Sequence, residues 1–316
     1  MDVTQNIPLA VTVQLFGSFC FAMAAHLQDK AVVSEVRENQ EKKSLKGSEL
    51  LASMKKPRWV GGLALMGVSL ICQITALFFA PVSVVQPVGL MAFPWSMIIQ
   101  ARSDKHRIPK RMTSAMGVTI AATIGFTILI SLHAAPEAKL HPLPVLIGAL
   151  VIYLCAGMMG WIGTHGVKKW RSLAWASGGA MFYGLEASLV KSLIQYARQH
   201  VWHSDPLFWC ILLALIVGSI AAGWMIQQGY ATGAAELVVA SMTITSPVVA
   251  VLFGIIVLGE GANHTPLVTA AILLLALIAI AGVVILSWLH THIVEAEAHA
   301  AKAARARAVR AARRHR

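Results

Sequence analysis

Phe93-Pro94-Trp95 and Ser246-Pro247-Val248 stand 153 residues apart, and under that one shift the hydrophobic segments around them align as well. Trp59–Pro81, Val82–Arg102 and Met112–His133 recur as Leu207–Tyr230, Glu236–Leu258 and Pro266–His290. A helix-interior proline reproduced in both copies points to a duplicated membrane bundle.

Composition agrees. Hydrophobic residues make up 57% of the chain, charged residues 13%, and the mean hydropathy is +0.68, more apolar surface than one soluble core of 316 residues could bury. An uncharged apolar run of about 20 residues spans a bilayer core. Nine such runs are predicted: 6–28, 59–81, 82–101, 112–134, 144–166, 173–196, 207–229, 235–258 and 266–289. A membrane β-barrel would show short alternating segments instead. The first run has no basic leader and no small-residue cleavage site, so it is read as a retained helix.

The net charge of +12 is a matter of placement. Eight basic residues lie between runs 1 and 2, five between runs 3 and 4, three between runs 5 and 6, and seven in the tail, against only Lys139 and Arg198 in the alternate loops. By the positive-inside rule the N-terminus lies outside and the C-terminus in the cytoplasm. The basic excess is thus a topology signal, which argues against nucleic acid as a partner. Segment 29–58, too charged to cross, is expected on the cytoplasmic surface and partly helical, and the Ala- and Arg-rich tail 291–316 is expected to be helical and to meet anionic lipid headgroups. The division is a first half 1–134 with four helices, a second half 144–290 with five, and the tail.

The four cysteines fall within predicted spans as apolar packing residues. No phosphate-binding loop, dinucleotide fingerprint or nucleophile–base pair is visible, which speaks against nucleotide hydrolysis and enzymatic activity; no cofactor is expected.

The stretch Ala235 to Glu260, AELVVASMTITSPVVAVLFGIIVLGE, with a last helix ending Ala281-Gly282-Val283-Val284-Ile285-Leu286, resembles the EamA-type half of the drug/metabolite transporter superfamily. Phe79-Ala80-Pro81-Val82-Ser83-Val84-Val85-Gln86-Pro87-Val88-Gly89 is similar to the NIPA-type magnesium transporter branch. The resemblance implies an all-α bundle of two inverted halves with a central pathway, and a substrate ranging from metabolites or drugs to divalent cations. Members usually have five helices per half; here the count is four plus five, and helix 1 would run parallel to the helix at 144–166, breaking the symmetry.

Glu186 is the leading candidate for function, because a carboxylate near the middle of a span faces a cavity, holds a proton or pairs with a partner. Tyr183 shares its face. Lys191, about 140° round the helix from Glu186, is expected to snorkel outward. Pro87, Pro94 and Pro247 free backbone carbonyls, and Gln86, Trp95, Ser241, Thr243, Thr245 and Ser246 around them could bond a substrate or a neighbouring helix. Gln14 and Gln73 are similar cases. Tyr153, Trp161 and His165 form either an aromatic wall or part of an interfacial belt. Glu236 reads as a helix N-terminal cap, and Glu260, at a helix end where the dipole disfavours an acid, needs a partner or a role at the outer mouth. His200, His203 and Asp205 have ligand-like spacing without a further ligand, so no metal site is assigned.

The sequence thus predicts a multi-pass plasma-membrane protein, bacterial by type, that exports small metabolites or drugs by alternating access between inverted halves. A magnesium or other divalent-cation transporter is the first alternative, and a non-transporting binding or assembly subunit the second. Its partners are membrane lipids and a small-molecule or cation substrate, with a homodimer left open. The pathway is expected where Pro94 and Pro247 approach, with Glu186 beside it.

Overall fold

A computed structural model describes residues 5–38, 57–103, 109–134, 140–199, 205–233, 235–286 and 289. Every regular element among them is a helix: α1 (Ile7–Glu38), α2 (Pro57–Phe79), α3 (Val82–Gly89), α4 (Ala92–Ser103), α5 (Lys110–Leu132), α6 (Pro142–His165), α7 (Lys168–Gln199), α8 (Pro206–Thr232), α9 (Ala235–Ile256) and α10 (Pro266–Leu286). Seven of these stretches among the described residues are long and apolar enough to cross a membrane: the Ile7–Gln28 part of α1, α2, α3 with α4, α5, α6, α8 and α10. With large apolar side chains such as Ile71, Leu154, Ile220 and Leu277 more than half exposed, the chain has the character of a multi-pass membrane protein. Residues 39–56 of segment 29–58, and the tail 291–316, lie outside the described residues.

The polarity of α7 is inverted relative to a soluble helix. Ser172, Ser188, Lys191, Ser192 and Gln195 are all buried. Among lipid-facing neighbours a polar stripe must turn inward to find partners. Lys191 is only 2% exposed and donates to the Leu77 carbonyl at 2.8 Å, so it does not snorkel; a bundle acceptor lies within its reach.

The 153-residue repeat holds at the level of helix ends. Phe79, the end of α2, falls on Thr232, the end of α8, and Val82, the start of α3, falls on Ala235, the start of α9. Packing extends the correspondence. Gly17 of α1 sits against Ser69 and Cys72 of α2, while Gly178 and Gly179 of α7 sit against Met225 and Ala222 of α8, which are the shifted positions of Cys72 and Ser69. Helix α1 is therefore seated on α2 as α7 is seated on α8. Helix α6 packs on α7 and α8, and against Phe253 of α9 and Val257 just beyond its end.

The two prolines of the repeat do not play one part. The expected single helix 82–101 is broken at Leu90–Met91. Pro94 has no N–H to offer the Leu90 carbonyl, and the Phe93 amide takes it instead at 3.1 Å, tightening the turn. Pro94 thus lies in the first turn of α4, where no intrahelical donor is needed, whereas Pro247 lies inside the continuous α9. The interior proline of the first copy is Pro87.

Where α7 crosses α9, a Cβ on Gly184 would lie 2.4 Å from the Ser246 carbonyl oxygen and 2.9 Å from Val249 Cβ. Gly184→Ala is expected to force the two helices apart and destabilise the fold by about 1–3 kcal/mol, read as a lower midpoint of thermal unfolding in detergent; an unchanged midpoint would contradict the close approach.

Candidate functional site

Two constructions stand between the repeats. The first is the junction of α2 and α3, Phe79-Ala80-Pro81-Val82. Pro81 carries no N–H, so the Leu77 carbonyl loses its helical donor, and Lys191 of α7 supplies one. The Phe78 carbonyl accepts from the Arg198 guanidinium at 3.1 Å, with that guanidinium 4.5 Å from the Phe78 ring centroid. The Phe79 carbonyl accepts from the Asn6 amide at 3.1 Å. On the other side of the break the amides of Val82 and Ser83, the free start of α3, donate to the two carboxylate oxygens of Glu260 at 2.7 and 2.9 Å. A carboxylate at a helix N-terminus meets both the free amides and the positive end of the dipole. Burial pushes the Glu260 carboxyl above its ordinary pKa, while the Ser83 hydroxyl, the two amides and the Lys191 charge pull it back. Glu260 follows its own helix and caps one from the other repeat.

The second is a cavity of about 80 Å³. It is bounded by Pro87 and Leu90 at the α3–α4 break, Thr123 and Phe126 of α5, Pro247 and Val251 of α9, and apolar side chains of α10. Pro87, not Pro94, therefore meets Pro247. The reason is the early break: once the chain turns at Leu90, α4 leads Pro94 and Trp95 away, and Trp95 stacks edge-on against Phe19 of α1 at 5.5 Å. Its indole N–H is buried without a partner, as is Gln14 Oε1; the Gln14 amide nitrogen lies against Gly89.

Glu186 does not line this cavity. It is half-buried on α7, hydrogen-bonded by Ser219 of α8 and close to Tyr183, which in turn lies near Tyr230 and packs against the cluster of Ala176, Ile226 and Val238. It belongs to the seam of α7, α8 and α9. Ser241 of α9 bonds Ser177 of α7 at 2.7 Å, an interhelical use of a serine. Thr245 and Ser246 are half-buried on α9, and Gln86 half-buried on α3. The side chains of Thr243 and Glu236 lie outside the described ones, as do residues His200 and His203. Asp205 caps α8 through the Leu207 amide at 2.9 Å and accepts from the Tyr196 hydroxyl. Trp161 and His165 stack on each other on an exposed face, away from Tyr153, whose hydroxyl donates to the Ala214 carbonyl inside the bundle. No group of three or more metal-ligating side chains occurs among the described residues.

Sequence reasoning passed over Thr123 and misplaced Lys191. The signals were there: Thr119, Thr123 and Thr127 recur every four residues, one face of a helix, and Pro81 guarantees a stranded carbonyl.

Residues 2–151 match the magnesium transporter NIPA family. The match runs over α1 to α5 and ends within α6. An uncharacterized protein of Corynebacterium glutamicum is 27% identical over 229 residues, 69% of this chain and 74% of that protein. No solved structure matches the chain. The family match and the seven apolar helices together point to a membrane transporter as the general type.

Two outcomes test the site. Glu260→Ala leaves two amides and Lys191 without their carboxylate, with an expected cost of about 3–5 kcal/mol; Glu260→Gln keeps one acceptor and costs less, and in a thermal-unfolding cycle with Lys191→Met the effects are non-additive. Val251→Phe fills the cavity and should hold or raise thermal stability while abolishing solute flux in liposomes.

Proposed function

We propose that the chain is a secondary transporter working by alternating access, with its pathway opening from the cavity between the two repeats. The observation that carries this reading is the meeting of Pro87 and Pro247, one from each repeat, at an unfilled space between apolar helices, in the manner of transporter sites built at repeat interfaces. An assembly subunit would have packed that space closed. In the proposed topology α7 and α9 also cross, as the sixth and eighth of nine crossings, the N-terminus is outside and the tail cytoplasmic in the plasma membrane. Consecutive crossings alternate in direction, so α1 and α7 run oppositely, as do α2 and α8. Pairing α1 with α7 thus gives an inverted repeat.

For the substrate, the apolar lining and the single described carboxylate in mid-span, Glu186, support export of small organic solutes, with Glu186 as the proton-coupling group in the seam beside the pathway. The second reading is magnesium, favoured by the family match over residues 2–151. Magnesium asks for hard oxygen ligands and loses its waters reluctantly, so this reading has the ion pass hydrated.

Reconstituted liposomes separate the readings. The expected result is proton-coupled release of a neutral organic solute with no signal from an entrapped magnesium dye, and Glu186→Gln abolishing the pH dependence of flux. Magnesium flux that Glu186→Gln removes would establish the second reading, and full transport by Glu186→Gln with unchanged pH dependence would remove Glu186 from the mechanism.

A further inference from the structure

The cavity between the repeats is open on one side. Val248, Leu252 and Leu273 of its lining are exposed, while Pro87, Phe126 and Pro247 are buried, so the space runs inward from an outer edge. That edge belongs to a larger apolar surface. Ile244, Val248, Leu252 and Ile256 recur every four residues on α9, one face of a helix, and all four are exposed. On α10, Leu274 and Leu277 are exposed together with Leu273. In a chain that spans a membrane, the solvent of such a surface is hydrocarbon.

The lining restricts the occupant. Its surface is almost entirely carbon: Thr123 is the one polar residue along it, and the Thr123 hydroxyl oxygen is buried away from the space. Water needs several polar partners when buried and finds none here, and an ion finds no charged side chain to offset its desolvation. Size narrows the choice further. A dry cavity of about 150 Å³ accepts benzene, so about 80 Å³ is too small for a ring and holds about three carbon atoms in the same proportion. Leu273, Ala276, Ala279 and Ile280 of the lining take the middle of α10, a helix of bilayer length. The middle of a bilayer is where lipid acyl chains end.

We propose that the end of a lipid acyl chain enters sideways past Val248, Leu252 and Leu273 and is seated between the two repeats. Its last carbons lie against Phe126, Val251 and the rings of Pro87 and Pro247, and the preceding part of the chain lies along the exposed stripe of α9. An unbranched hydrocarbon tail meets every limit that the lining sets, and its burial there is driven by contact with carbon on all sides. The seat follows from lining and shape and does not rest on the transport reading. Where that reading holds, the chain end has to leave before a solute can pass.

The test is photolabelling of the full chain in phosphatidylcholine nanodiscs, with a diazirine placed either on the terminal carbon of one acyl chain or at its midpoint, and the adducts mapped by mass spectrometry. The terminal probe should label the inner residues Phe126 and Val251, and the midpoint probe only edge and outer residues such as Leu252 and Leu277. Val251→Phe, which fills the space from α9, should abolish adducts on Phe126 while those on the outward-facing Ile220 of α8 persist. Ala276→Leu fills it from α10 and should do the same, so the outcome does not hang on one variant; an unchanged thermal midpoint reports that each is folded. Terminal-probe adducts confined to the outer face, or inner labelling that neither variant reduces, overturn the proposal. So does the absence of adducts on both inner and edge residues, the pattern expected if a second copy of the chain covers this face. Inner labelling as expected without solute flux in liposomes would leave the seat standing and refute transport; flux without inner labelling would do the reverse.

Discussion

Backbone groups stranded inside a packed bundle have no water to turn to, and the buried α2–α3 junction strands five of them. Each unsatisfied buried group is costly, so the accounting has to close. It closes with the amide of Asn6, the cations of Lys191 and Arg198 on α7 and the carboxylate of Glu260 after α9. Three of these four partners come from the second repeat. A proline at position 81 therefore ties the two repeats together at one end of the bundle, and the cavity lies along α3 from that tie, where Pro87 and Leu90 open the same helix again. The repeats are clasped at one end and loosely packed further in, an asymmetry suited to movement about the clasp.

The same constraint explains the charges on α7. Lys191 and Glu260 read in isolation as costly intramembrane or mouth charges, but each meets the helix terminus of matching polarity: the cation the carbonyl end of α2, the anion the amide end of α3. These contacts are structural. Glu186 differs, since its described hydrogen-bond partner is a neutral serine, Ser219. The family likeness, confined to residues 2–151, covers the junction and the α3–α4 break but not the residues from α7 and α9 that complete both.

Much was legible in the chain. The ends of α2, of α3 and α4 taken together, and of α5, α6, α8, α9 and α10 fall within a few residues of the predicted runs, because uncharged stretches of membrane length can do little else. The break at Leu90–Met91 was not read, since Pro94 looks alike whether it kinks a helix or begins one; the choice depends on which amide reaches the Leu90 carbonyl. The pairing of α1 with α7 was hidden too, as the two share no obvious sequence likeness and are related only by how glycines seat them on α2 and α8.

By itself the sequence determined the class: an all-helical membrane chain with a 153-residue repeat and its basic residues gathered in alternate loops, all consequences of composition and order along one dimension. Only the tertiary structure decided which proline meets Pro247, that Lys191 turns inward and that Thr123 borders a void with its hydroxyl unpaired. These are matters of partner and distance. Hydrogen bonds and cavities are made between segments far apart in the chain, and no local pattern records which of them will meet.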